Sequence, residues 1–278
     1  MMLTTTLDGL WVLQVLSGIE VLAPELGLRP HLPSIETKQA ALDHAVAGDL
    51  LDAGVINSAG EVDDAVFEWL TVLSRRDVAL LLQSRDPGDA ALPTRMLLAR
   101  FAAWWVVLER SGDLIRLSGA GTATRAQSAN AAIASQIDRL CGHMPAALMR
   151  PVSINTGEML STVKDLASLQ TFLRKRRFDP EQIRTLTLAA QPQRSRQTSI
   201  VAIQSGSATR SGRSHIDAGT VTVIDTPEGR VVSEHVNHGG TSWMVVAPGT
   251  AEAITTAVQS LMHRLPAHQA WYSQRKAV

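Results

Sequence analysis

Apolar and polar positions follow the same order twice along this chain. Between Trp69 and Pro145 a helical stretch leads into short β-type runs at 78–83, 95–102, 104–110 and 114–118, and an apolar-periodic helix over 125–140 follows. Between Ile183 and Pro266 the order returns, with runs at 198–204, 220–225, 230–236 and 242–246 and a helix over 251–265. In that last helix Ala251, Ile254, Val258, Leu261 and Leu265 form one stripe. The unbroken apolar run from Val78 to Leu82 predicts a central strand covered on both faces. Ser111-Gly112-Asp113, Pro227-Glu228-Gly229 and Gly239-Gly240 carry the turn chemistry that joins neighbouring strands. Segments 84–94 and 206–219, rich in Gly, Pro, Ser and Asp, are expected as exposed loops, the second of them mobile.

The flanking segments are helical in pattern. Residues 3–6 form a short strand, and Asp8 is expected to cap a helix over 10–16. Pro24, Pro30 and Pro33 keep 23–34 extended or looped. A single helix is expected over 37–51, and Asp63 or Asp64 caps the next one, whose Val66, Trp69, Leu70 and Leu73 share a face. Residues 148–155 are extended and 156–188 are helical in pieces. They break at Phe178-Asp179-Pro180, where Asp179 caps and Pro180 enters the first turn. Trp271 and Tyr272 are placed to tack the tail onto the body.

Hairpin-linked strands with helices gathered before and after them predict an α+β fold on an antiparallel sheet. Two such halves, about 1–145 and 146–278, could join edge to edge, which would bury two edges that otherwise invite aggregation.

Composition narrows the function. Apolar residues make up 45% of the chain, enough to bury a core and exclude wholesale disorder. The 26 basic and 26 acidic residues cancel, so the overall charge excess that nucleic-acid binding usually needs is missing. Cys141 is a lone cysteine, which rules out an internal disulfide and fits a reduced cytosol. The chain shows neither a leader-type N-terminus nor a run long enough to span a membrane, so a cytoplasmic protein is expected.

Candidate chemistry is sparse. Gly119-Ala120-Gly121, in the segment 119–124 between a strand and a helix, sits where a phosphate loop would. It lacks a third glycine and a βαβ context, and reads first as a plain connection. His235 and His238, with His215 nearby in pattern, have an HxxH spacing. Positions three apart on a strand face opposite ways, and a structural or solvent role is the simpler reading. Neither a metal nor a cofactor is expected, and Cys141 reads as a small core residue. The run Arg174-Lys175-Arg176-Arg177 reads as a solvated helix end complementing the macrodipole, with an acidic partner as the main alternative. Trp104 and Trp105 are adjacent on a strand and must face opposite sides. One of them needs cover from a helix or belongs to an exposed apolar patch used for binding.

Several segments together carry a resemblance. These are Leu7-Asp8-Gly9-Leu10-Trp11, Pro24-Glu25-Leu26-Gly27-Leu28-Arg29-Pro30, Glu68-Trp69-Leu70, Val223-Ile224-Asp225-Thr226 with Gly229-Arg230, Ala247-Pro248-Gly249-Thr250, Leu265-Pro266 and Trp271-Tyr272. In this order and spacing the chain resembles the EspG family, the cytosolic chaperones of mycobacterial type VII (ESX) secretion. The N-terminal segment and the Trp-Tyr end are most similar to the paralogue of the second ESX system. The resemblance implies a central antiparallel sheet flanked by two helical bundles with a quasi-twofold relation between halves. It implies binding of a PE–PPE heterodimer through the hydrophobic PPE tip, with no catalysis, and a free protein that is a monomer or weak dimer. The implied contact surface is the sheet face, the loop between the second and third strands, and the C-terminal helical part. By element, the partner-binding candidates are Ser84, Arg85, Asp86 and Arg95 around that loop, and Gln204, Ser207, His215 and Asp225 on the strands beyond. The alternative reading is a small-ligand or nucleotide-binding enzyme using 119–124.

Overall fold

The computed structural model describes residues 2–88, 92–206, 214–273 and Arg275. The first half contributes β1 (Met2–Thr6), α1 (Leu7–Leu16), α2 (Lys38–Leu42), α3 (Ala45–Asp52), α4 (Asp64–Arg75), β2 (Val78–Arg85), β3 (Thr94–Phe101), β4 (Trp104–Ser111), β5 (Leu114–Thr122) and α5 (Ala126–Cys141). The second contributes β6 (Val152–Asn155), α6 (Thr156–Thr162), α7 (Leu166–Lys175), α8 (Pro180–Ala189), β7 (Arg196–Gln204), β8 (His215–Ile216), β9 (Val221–Thr226), β10 (Gly229–His238), β11 (Thr241–Pro248) and α9 (Ala251–His263).

These strands form one 11-stranded sheet in the order β1-β5-β4-β3-β2-β7-β9-β10-β11-β6, with β8 paired to β7. The halves meet at β2 and β7, antiparallel from Val78↔Gln204 to Arg85↔Gln197. Outward from that pair the strands run β3, β4, β5, β1 on one side and β9, β10, β11, β6 on the other. The outermost strand of each half comes first in its half of the chain and leads directly into a helix. Joining at β2–β7 satisfies the backbone of two strands whose apolar runs would otherwise be exposed edges.

Strand alternation sends side chains to two differently covered faces. On one face Val78, Leu80, Leu82, Ile200, Ala202, Val221 and Val223 pack under α5 and α9 in a single cluster that crosses the junction. The opposite face carries two separate clusters. Ala79, Leu97, Ala99, Val106 and Leu108 lie beneath α1–α4, and Val152, Ile154, Val231 and Val246 lie beneath α6–α8.

The local signals act mostly as expected. Asp63 caps α4 and Asp179 caps α8 with Pro180 in its first turn. Trp271 is fully buried edge-on to Trp105 and Tyr272. Cys141 is buried in the core, and burial pushes its thiol upward. Three expectations are corrected. Thr6, not Asp8, caps α1, because the chain leaves β1 extended at Thr6 and its hydroxyl accepts from Gly9 N–H. The helix expected over 37–51 is two helices, since Asp43 closes α2 and the His44 ring accepts from Val46 N–H to open α3. The strand expected to end at 118 runs to Thr122, with a register shift opposite Trp105/Val106.

Candidate functional site

The face carrying α1–α4 and α6–α8 is open along its middle. Leu81, Gln83, Ser199, Val201 and Thr222 are half-buried there, whereas Leu80, Leu82, Ile200, Ala202 and Val221 on the reverse face are fully buried. The reason lies in the connections. Helices α5 and α9 end their halves and converge over the junction, while the other helices stay with the outer strands of their own half.

Two apolar grooves flank this strip. One, of about 280 Å³, opens between the sheet and α6–α8. Ile224, Met244, Val246 and Ile154 floor it, Met159, Leu160, Leu169, Leu173 and Leu186 wall it, and among the described residues Ser233 is the sole polar side chain lining it. Helix α6 buries none of its residues, and Leu160 at the mouth is 65% exposed. A leucine left so open beside an unfilled apolar cleft is the kind of surface that marks a protein-binding site. The other groove, about 500 Å³, lies between α4 and β3–β5 and is lined by Phe67, Trp69, Phe101 and Trp104. Trp104 is 55% exposed in it, while Trp105 turns to the opposite face and is buried. The two tryptophans therefore divide as the alternation requires, one in the core and one in an open patch.

The sequence-derived candidates fall at two ends of the central strands. Ser84, Arg85, Asp86 and Arg95 cluster at the β2–β3 hairpin. Ser84 Oγ lies 3.1 Å from Arg196 Nε, and Asp86 pairs with the same guanidinium at 3.1 Å. Asp225 lies at this end too, opposite Arg196 in register, and pairs with Arg230 through both carboxylate oxygens. That contact raises the Arg230 pKa against the opposing effect of burial. Gln204 is at the far end of β7, buried, with its Oε1 accepting from Ala267 N–H at 3.0 Å. His215 is exposed on β8 beside it. Ser207 lies outside the described residues.

Most of the 119–124 segment is strand, since β5 extends to Thr122. Gly119 and Gly121 continue β5 opposite β4, and Trp69 Nε1 would lie 3.1 Å from a Cβ at Gly119, so glycine admits the α4 indole. Among the described residues no group of three His, Cys, Asp or Glu side chains is placed to hold a metal. No helix among them is long and apolar enough to cross a membrane. The implied contact surface included the C-terminal helical part, but none of the residues lining the groove under α6–α8 is among the candidates read in the sequence. Met159, Leu160 and Val163 announce it only as apolar residues on a short helix with little to pack against.

This is a scaffold presenting apolar grooves on one face of a large antiparallel sheet, the form of a protein-docking platform. The family model "EspG family" matches residues 6–260, and the chain belongs to that family. It is 46% identical over 278 residues to the ESX-2 secretion-associated protein EspG2 of Mycobacterium tuberculosis (strain CDC 1551 / Oshkosh), covering 100% of both chains. It is 28% identical to the ESX-3 secretion-associated protein EspG3 of Mycolicibacterium smegmatis, over 94% of this chain and 86% of that one. In fold it is similar to the M. tuberculosis type VII secretion system chaperone EspG5, solved in complex with a PE25-PPE41 dimer. The TM-score is 0.76 at 20% identity, over 99% of this chain and 100% of that one.

Proposed function

We propose that this protein is a cytoplasmic secretion chaperone that binds a PE–PPE heterodimer, shelters the hydrophobic PPE tip, directs the pair to its own ESX machine and performs no catalysis. The observation that carries the reading is the apolar groove under α6–α8, whose lining among the described residues offers one polar side chain and whose mouth is an exposed leucine. Family membership and the chaperone complex of EspG5 support it.

The physics is that of capping an aggregation hazard. Apolar side chains entering the groove leave water with a gain of roughly 25 cal/mol per Å². Lost rigid-body freedom and side-chain ordering then cancel much of that gain, leaving a moderate affinity suited to later release. Arg85, Asp86 and Arg95 form the proposed polar rim at the hairpin end, where charge selects among partners more than it adds affinity. Ser84 and Asp225 turn to the α5/α9 face, where Ser84 is buried against Thr198 and Asp225 is held by Arg230. A tip lying along the half-buried central strip would also reach the end of β7 where β8 carries the exposed His215, while Gln204 there is buried and engaged with Ala267 N–H.

Co-expression with the PE–PPE pair of the same locus tests this. One-to-one-to-one co-elution in gel filtration is expected, and Leu160→Asp should weaken it at least ~10-fold, since it replaces the apolar group at the mouth with a charge. Helix α6 buries no side chain, so the variant should keep the parent's thermal stability. Absence of co-elution with the wild-type chain would sink the reading.

A further inference from the structure

The outer side of the α7–α8 pair carries a second groove, facing away from the one just described. Leu169 and Leu173 of α7 point into the first groove, while Leu166, Gln170 and Arg174 line the second, a shallow channel of about 840 Å³. Ile183 and Leu188 of α8 complete its apolar floor, and Arg174, Arg184 and Arg194 stand along its rim.

The charge is concentrated here. Residues 150–194 hold eight basic and four acidic side chains, a net +4 in a chain whose total is zero. The acidic groups are largely occupied. Asp165 and Asp179 cap α7 and α8, Asp179 also meets Arg150, and Glu158 pairs with Arg176. Glu228, the one carboxylate among the described residues lining the channel, pairs with Arg184 at 2.8 Å. Arg174 and Arg194 have no carboxylate partner among the described residues. Arg174 reaches only Gln170 Oε1, at 3.4 Å.

We infer that this channel docks an acidic amphipathic helix of a partner protein, at a surface separate from the cargo groove. Two 10-residue helices, each about 15 Å long at 1.5 Å per residue, leave a furrow matching about three turns of a third helix. The Leu166–Ile183–Leu188 floor takes the apolar stripe of such a helix, and the arginines take carboxylates on its flanks. A nucleic acid fits less well. Among the described residues the channel has no aromatic side chain for base stacking, and Glu228 would face the phosphates.

The probe is a fluorescein-labelled synthetic helix with leucines at i, i+3, i+4 and i+7 flanked by glutamates, with a control in which every Glu is Gln. Polarisation is read against the full chain and against Arg174→Glu/Arg194→Glu. Both of those side chains are exposed, so the variant should fold normally. The acidic peptide should bind, and the double variant should weaken it at least ~10-fold. Raising the salt from ~0.05 M to ~0.5 M should weaken it too, because rim charges are screened. Co-elution with the PE–PPE pair should survive in the variant, which separates this surface from the cargo reading. A peptide that fails to bind, binds equally as its Gln analogue or ignores the double variant would overturn the inference. So would tighter binding of single-stranded RNA or anionic vesicles, or self-association of the chain through this channel.

Discussion

Asp77 and Arg100 are both fully buried and paired at 3.4 Å. Burial pulls the guanidinium down to about 10, against the attraction of Asp77. The pair is stabilised by what surrounds it. Ala102 N–H donates to Asp77 Oδ2 at 2.9 Å, Arg100 Nε donates to the Ala102 carbonyl at 2.7 Å, and Arg100 Nη1 donates to the Trp271 carbonyl. One ionic knot thus fixes the end of β3, the start of β2 and the C-terminal tail. A smaller knot closes the loop before α2. There Glu36 takes the Leu32 N–H at 2.7 Å, lies 2.8 Å from His31 Nδ1 and pairs with Arg29. Burial would raise its carboxyl, but the hydrogen bonds from Leu32, His31 and Arg29 outweigh it and hold the pKa at about 2, below the ordinary 4.5. A depressed folded pKa adds stability that is present above about 4.5 and is lost as pH falls toward about 2. Glu36→Gln should therefore be less stable than the parent at neutral pH. The gap should narrow as the solution is acidified through that window, read by urea denaturation at successive pH values.

At the scale of elements, the β9–β10 hairpin shows how a turn residue is chosen by its neighbour as well as by its own backbone. Gly229 has φ +113, and a Cβ there would lie 2.8 Å from the backbone N and Cα of Ala147. The chain entering the second half crosses at this point, with Ala146 bridging Arg230 and Arg230 N–H donating to the Pro145 carbonyl. Gly229→Ala should cost about 2–4 kcal/mol, combining left-handed strain with a backbone clash. Urea or thermal denaturation measures it, and a loss under about 1 kcal/mol would show that the crossing segment yields easily. Turn chemistry in the sequence pointed to Gly229, but only as one residue of a turn. The crossing segment that forbids any side chain there is more than 80 positions away in chain order and has no local signature.

For the whole molecule, the β2–β7 junction and the cluster under α5 and α9 make the halves interdependent. Either half alone would expose a central strand along its full length and half of a shared core. The chain is expected to unfold in one cooperative transition. Fragments 1–145 and 146–278 should be insoluble separately and recover a folded complex when co-expressed, judged by gel filtration and circular dichroism. Two resolved thermal transitions, or a soluble folded half, would refute this. The docking properties belong to the same scale. The open central strip exists because two helices close the reverse face while the others remain with their own half.

Much of this was legible in the order of residues. Alternation placed Trp104 and Trp105 on opposite faces, glycine-bearing turns marked the hairpins, and Asp179-Pro180 opened α8. These signals are local, because backbone geometry within a few residues decides them. What covers each face is not local. Leu80 and Leu81 are neighbours in one apolar run, yet one is sealed beneath α5 and α9 and the other borders the open strip. Met159 and Leu160 carry no mark to separate a core helix from the wall of a groove. Burial is a property of two surfaces meeting, and the chain states only one of them at a time.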